Sequence, residues 1–199
     1  MNAFPTDSEF PTPMTLEYFT QYAASLSGVL QAFDWTPVAG LARALQRAWG
    51  QRRQVFLCGN GGSAANAIHL ANDLIYGISK ENGAGIRATA LPANQAIVTC
   101  LANDVGYEAI FSQQLSVLGS EGDILIVLSG SGNTPNILRA LETANAIGME
   151  THAILGYSGG KAKSLAAHPI HFAIDDMQIA EDLQMIVGHM VMKKLSVTA

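Results

Sequence analysis

The sequence predicts a parallel α/β fold, a sheet wrapped by helices and preceded by a helical pair. Five short apolar runs alternate with stretches of helical periodicity, the pattern of strand–helix–strand units. These runs are continuous rather than alternating, as expected for strands covered on both faces. Two of them, 55–58 and 124–128, lead through glycine- and hydroxyl-rich turns into helical stretches.

Residues 15–33 and 36–49 space their apolar positions as helices do, and Thr36-Pro37 supplies an N-cap followed by a first-turn proline. They read as an antiparallel pair, an extension over residues 1–52 ahead of a sheet domain over 53–199. Within that domain the strands are expected at 55–58, 86–91, 124–128, 151–155 and 170–174. Helices are expected near 63–79, 95–102, 106–118, 134–147, 161–167 and 178–195. The segment 77–85 is glycine-rich and polar, which predicts a mobile loop.

At 199 residues and 49% apolar content, the chain can bury a full core. A net charge of −5 and a pI near 5.4 provide no basic field for a polyanion, so nucleic acid is not the expected partner. Cys58 and Cys100 both lie in apolar stretches, far from any metal or redox spacing, and read as reduced core thiols. Residues 1–13 are polar, with no basic or apolar leader pattern, and no apolar run reaches membrane-spanning length. A cytoplasmic protein is the expectation.

The turns carry the chemistry. Gly59-Asn60-Gly61-Gly62-Ser63 and Ser129-Gly130-Ser131-Gly132-Asn133-Thr134 each precede a helix, whose free N–H groups favour an anion. Glycines admit close approach of a ligand, and the hydroxyls add donors, so a phosphate fits without lysine or arginine. Gly59, Gly61 and Ala64 also satisfy a dinucleotide fingerprint, but that reading needs an acid closing the next strand. Residues 86–91 end in Leu91-Pro92, and the nearest acid, Glu81, precedes them. Lys161, after Gly159-Gly160, reads as a solvated lysine rather than a phosphate ligand. His69 and Asp73, four apart on one helix face behind the first turn, suit a metal pair or an acid/base pair.

Together, Gly59-Asn60-Gly61-Gly62-Ser63, His69, Ala102-Asn103-Asp104, Leu128 through Thr134 and the late His189 resemble the sugar isomerase (SIS) domain family, in its phosphoheptose isomerase branch. The likeness runs from about Val55 to His189, and the leading helices resemble that branch's extension. It implies a three-layer sandwich around a five-stranded parallel sheet and a homotetramer with active sites at subunit interfaces. It further implies ketose–aldose isomerisation of sedoheptulose 7-phosphate through an enediolate, with zinc in many members. Non-catalytic SIS modules that sense a sugar phosphate or bind a partner such as a replication initiator are the alternative, as is isomerisation of another ketose phosphate.

Carried onto this chain, the resemblance makes Asp73 and His189 the proton-transfer residues. Asn60, Gly61, Gly62, Ser63, Asn94, Asn103, Asp104, Ser129, Gly130, Ser131, Thr134 and Gln178 would contact the sugar phosphate. The family register puts Glu181 at a metal-binding position, eight residues before His189, with Asp182 as second choice. Four departures stand out: Asp73 replaces a glutamate, Glu181 a glutamine, and Asn94 and Gln178 replace aspartates. One coherent rebuilding sets His69, Asp73, Glu181 and His189 around a divalent ion such as zinc.

Overall fold

A computed structural model describes residues 15–80 and 83–196. The polar N-terminal segment and Glu81 lie outside the described residues. The chain forms two compact units, one up to Phe33 and one from Asp34 onward. The first contains α1 (Leu16–Ala32), which leaves Leu16, Tyr18 and Phe19 exposed.

The second unit opens with α2 (Thr36–Gly50). The helix start is shifted from the sequence expectation: Asp34, not Thr36, does the capping, accepting from the Thr36 N–H at 3.0 Å and its hydroxyl at 2.7 Å. Val38, Leu41, Ala44, Leu45 and Ala48 make its buried stripe.

Five parallel strands follow: β1 (Gln54–Cys58), β2 (Arg87–Ala90), β3 (Ile124–Ser129), β4 (Glu150–Leu155) and β5 (His168–His171). Their spatial order is β2-β1-β3-β4-β5. The connecting helices are α3 (Gly62–Ile75), α4 (Gln95–Asp104), α5 (Ser112–Leu118), α6 (Pro135–Ile147), α7 (Ala162–Leu165) and α8 (Met177–Ser196). Successive strand residues point to opposite faces. Phe56, Cys58, Leu125, Val127, Ala153 and Leu155 join the core under α4 to α7. Leu57, Ile126 and Ile154 face Leu41 and Leu45 of α2, Leu70 and Leu74 of α3 and Val191 of α8. The result is the three-layer sandwich that the family resemblance implies.

Local departures have physical reasons. The last strand is His168–His171 rather than 170–174, because at the sheet edge Pro169 needs to donate no ladder bond. The stretch 106–118 is interrupted, a single turn at Tyr107–Ala109 preceding α5. Gly77–Ser79 forms a helical turn with Ile78 and Ser79 buried, so the start of the expected mobile loop is anchored in the core. Cys58 is in the core, where burial pushes its thiol pKa up, but Cys100 is exposed and donates to Asp104 at 3.4 Å. It lies on the outward face of α4, which the apolar run around it does not distinguish from the inward one.

Candidate active site

β1 has β2 on one side and β3 on the other, so the chain leaves β1 and β3 at the topological switch point, where open α/β sheets form a crevice. Both glycine-rich turns emerge there. Gly61 has φ 55° and ψ −124°, a backbone state open to glycine but not to side chains. A Cβ at Gly59 would lie 2.6 Å from the Ser63 carbonyl oxygen, so the first turn also needs a glycine for close packing. Asn60, Gly61, Gly62 and Ser63 line one open cleft of about 290 Å³ with Ser129, Gly130, Ser131 and Thr134. All eight are residues singled out from the sequence as sugar-phosphate contacts.

Hydrogen-bond polarity turns this cleft into a donor seat. Asn66 Nδ2 donates to the backbone carbonyl of Glu181 at 3.1 Å and to Gln184 Oε1 at 3.0 Å. A carbonyl can only accept, so the Asn66 amide orientation is fixed, and with it that of buried Gln184. Gln184 Nε2 therefore donates to Ser63 Oγ, 3.0 Å away, leaving the Ser63 proton to point elsewhere. Ser129 Oγ accepts from the Gly132 N–H at 3.1 Å, and Ser131 Oγ from the Asn133 N–H at 3.4 Å. Thr134 precedes α6 without using its side chain as a cap. The hydroxyls are thus available to donate to an all-acceptor ligand such as a phosphate dianion.

Asn60 is held from two directions. It exchanges both amide bonds with buried Asn136 at 2.9 Å each, and its Oδ1 accepts from the Tyr107 hydroxyl at 2.9 Å. Asn136 and Tyr107 were not among the sequence candidates for the site, and Gln184, offered by the closing helix, was given no role there. Their signal is weak: Gln184 is one polar residue in the apolar run Leu183 to Val187, and Asn136 follows a helix-start proline.

A second cluster lies further along α3 and α8. His69 Nε2 and His189 Nε2 are 3.1 Å apart, and Asp73 Oδ2 stands 3.4 Å from the first and 3.6 Å from the second. Gly188 explains this proximity. A Cβ there would collide with Leu70, so the missing side chain lets α8 approach α3 beside the two histidines. Both imidazoles are 51% exposed, whereas the Asp73 side chain is 14% exposed. Its Oδ2 is buried without a hydrogen-bond partner.

These atoms fit a divalent cation. Two Nε2 lone pairs and a carboxylate oxygen converge, and ligands about 2.0–2.1 Å from a tetrahedral zinc lie roughly 3.3–3.4 Å from one another. An orphaned buried carboxylate oxygen is the kind of group a cation satisfies.

Glu181 does not join them. Its carboxylate lies against Gly62 at the start of α3, lining the donor seat. Its eight-residue offset from His189 amounts to about 12 Å of helix rise, which accounts for the separation. A carboxylate beside the positive end of α3 opposes an incoming dianion. Glu181→Gln is therefore expected to lower the dissociation constant for inorganic phosphate roughly tenfold, as about 1–2 kcal/mol of repulsion near a protein surface implies. Calorimetric titration checks it; weaker phosphate binding together with loss of bound metal would instead make Glu181 a ligand.

The remaining candidates stand outside the cleft. Asn94, at the carboxyl end of β2, caps α4 by accepting from the Ile97 N–H at 3.3 Å. Asn103 donates to Asp104 at 2.7 Å at the end of α4, and Gln178 is exposed in the first turn of α8. Asp182 is exposed. Lys161 offers its backbone N–H to Asn133 Oδ1 at 3.1 Å and is not among the residues lining the seat.

Residues 17–156 match the family model for the SIS domain. A phosphoheptose isomerase of Akkermansia muciniphila is 41% identical over 138 residues, 69% of this chain and 72% of that protein. One of Chlorobaculum parvum is 36% identical over 176 residues, 86% of this chain and 83% of that protein. The solved structure of a phosphoheptose isomerase from Francisella tularensis superposes with a TM-score of 0.86 at 27% identity, covering 92% of this chain and 99% of that one.

Proposed function

The chain belongs to the SIS domain family, in its phosphoheptose isomerase branch, and from that premise we propose that it interconverts sedoheptulose 7-phosphate and D-glycero-D-manno-heptose 7-phosphate through an enediolate. The observation that carries this reading beyond the family is the pairing of a seat rich in hydrogen-bond donors with a half-buried acid and two imidazoles on α3 and α8. A seat alone binds; the added acid and bases permit proton transfer.

The terminal phosphate sits against Ser63, Ser129, Ser131 and Thr134, and Asn60 meets the sugar hydroxyls. Isomerisation removes a proton from C1 and protonates O2, then removes the O1 proton and returns one to C2. Asp73 is the base at carbon, and His189 exchanges the proton between the oxygens. His69, Asp73 and His189 would hold a divalent ion, and when bound it supplies positive charge for the enediolate. With an ion on Nε2 of His189 and Oδ2 of Asp73, the Nδ1 and Oδ1 atoms of the same side chains would remain to carry the protons.

None of His69, Asp73 and His189 lines the cleft that contains the seat. Exposed Ile68, Ile75, Tyr76 and Met190 surround the cluster on α3 and α8, an apolar rim suited to a second copy of the chain. We place the complete site at an interface of a homotetramer, one copy supplying the seat and another the proton-transfer residues. No helix among the described residues is long and apolar enough to cross a membrane. A dianionic substrate does not cross membranes unaided, which supports a cytoplasmic location.

A panel of C5 to C7 ketose phosphates tests the activity, with turnover expected for the C7 ester and none on any member counting against an enzyme. Elemental analysis of the untreated protein tests the cofactor. Divalent metal of at least one ion per chain is expected, falling by one in His69→Ala; a stoichiometry near zero would remove the metal from the account.

A further inference from the structure

The geometry points to a second divalent-cation site, held by Glu150, His152 and His168 at the opposite end of the sheet from the phosphate seat. Glu150 and His152 are two apart on β4 and so share a face, while the register pairs His152 with His168 of β5. The imidazoles stack with centroids 4.8 Å apart at 29°, a separation set by the strand spacing. Glu150 Oε1 lies 3.2 Å from His152 Nε2 and 3.5 Å from His168 Nε2. The three ligand atoms are all within 4.8 Å of one another.

Two imidazoles and one carboxylate are a donor set for zinc or a similar borderline divalent ion, with positions left open. Those positions face a cleft of about 720 Å³. His152 is almost wholly enclosed, its side chain 1% exposed. Arg47 Nη2 donates to Glu150 Oε2 at 2.9 Å and to Oε1 at 3.2 Å, orienting the carboxylate as an outer partner does in metal sites. Arg43 lines the same cleft, so two guanidinium charges oppose the ion and moderate its affinity. The six-residue strand β4 separates this cluster from the seat by roughly 20 Å, far enough for independent occupancy.

The test uses chelator-treated protein carrying His69→Ala and His189→Ala, which disables the first cluster. Cobalt(II) is titrated by calorimetry and followed by its visible absorption. One cobalt(II) per chain with ligand-field bands is expected. Adding His168→Ala, at an exposed position the core does not depend on, should weaken binding at least tenfold, and Glu150→Gln should do the same. Arg47→Ala should tighten it by removing a competitor for Glu150. No cobalt(II) uptake by the His69→Ala/His189→Ala protein would overturn the proposal. Uptake indifferent to both His168→Ala and Glu150→Gln would also overturn it.

Discussion

Replacing Asp73 by asparagine is expected to lower kcat by about a hundredfold to ten-thousandfold, the range a positioned general base contributes. KM should hardly change, because Asp73 does not line the phosphate seat. Asparagine keeps the size and removes the charge, so the half-buried position beside Leu70 and Leu74 remains filled. His189→Ala should give a similar fall in kcat while phosphate affinity stays intact. Steady-state kinetics and phosphate titration on the same preparations separate these quantities. A large rise in KM with kcat preserved would place both residues in binding rather than proton transfer.

The second large effect is expected from Gln184→Glu, which alters one amide nitrogen that no substrate need touch. In the native protein Gln184 Nε2 donates to Ser63 Oγ, which leaves the Ser63 proton free for a ligand in the cleft. A carboxylate at 184 accepts only, so Ser63 must turn its proton inward and present a lone pair to the phosphate. The loss of one charge-assisted hydrogen bond, about 1.5–3 kcal/mol, corresponds to roughly a ten- to hundredfold rise in KM, with kcat retained. Ser63→Ala should cost a comparable amount, and the double variant little more than either alone. Additive losses would mean that Gln184 acts through packing instead.

The phosphate seat was legible in the sequence because its chemistry is local. Glycine, serine and threonine within one strand–turn–helix connection fix both the backbone path and the donors, and eight residues of the two turns, Asn60 to Ser63, Ser129 to Ser131 and Thr134, line one cleft. The sheet was legible for a related reason, since continuous apolar runs report burial on both faces directly. The fifth strand was misplaced because Pro169 and two histidines make an edge strand look like a loop. Residues whose roles depend on another element were harder. Gln184 acquires its role only when α8 packs on α3, and Asn136 only when β1 and β3 bring the two turns together. Glu181 shows the opposite error: the family register suggested a shared ligand set with His189, but helix rise carries its carboxylate to the seat. The histidine approach itself rests on Gly188, a residue without chemistry whose absent side chain sets the helix spacing.

Proton transfer by this chain's own residues is tested most directly by running the reaction on sedoheptulose 7-phosphate in D2O and reading the product by proton and carbon NMR. The expected result is an aldose heptose 7-phosphate carrying deuterium at C2, formed by wild type and not by Asp73→Asn. Product that fully retains the original C1 hydrogen at C2 would indicate direct hydrogen transfer and contradict a base that exchanges with solvent. Equal product from Asp73→Asn would contradict the assignment of that base.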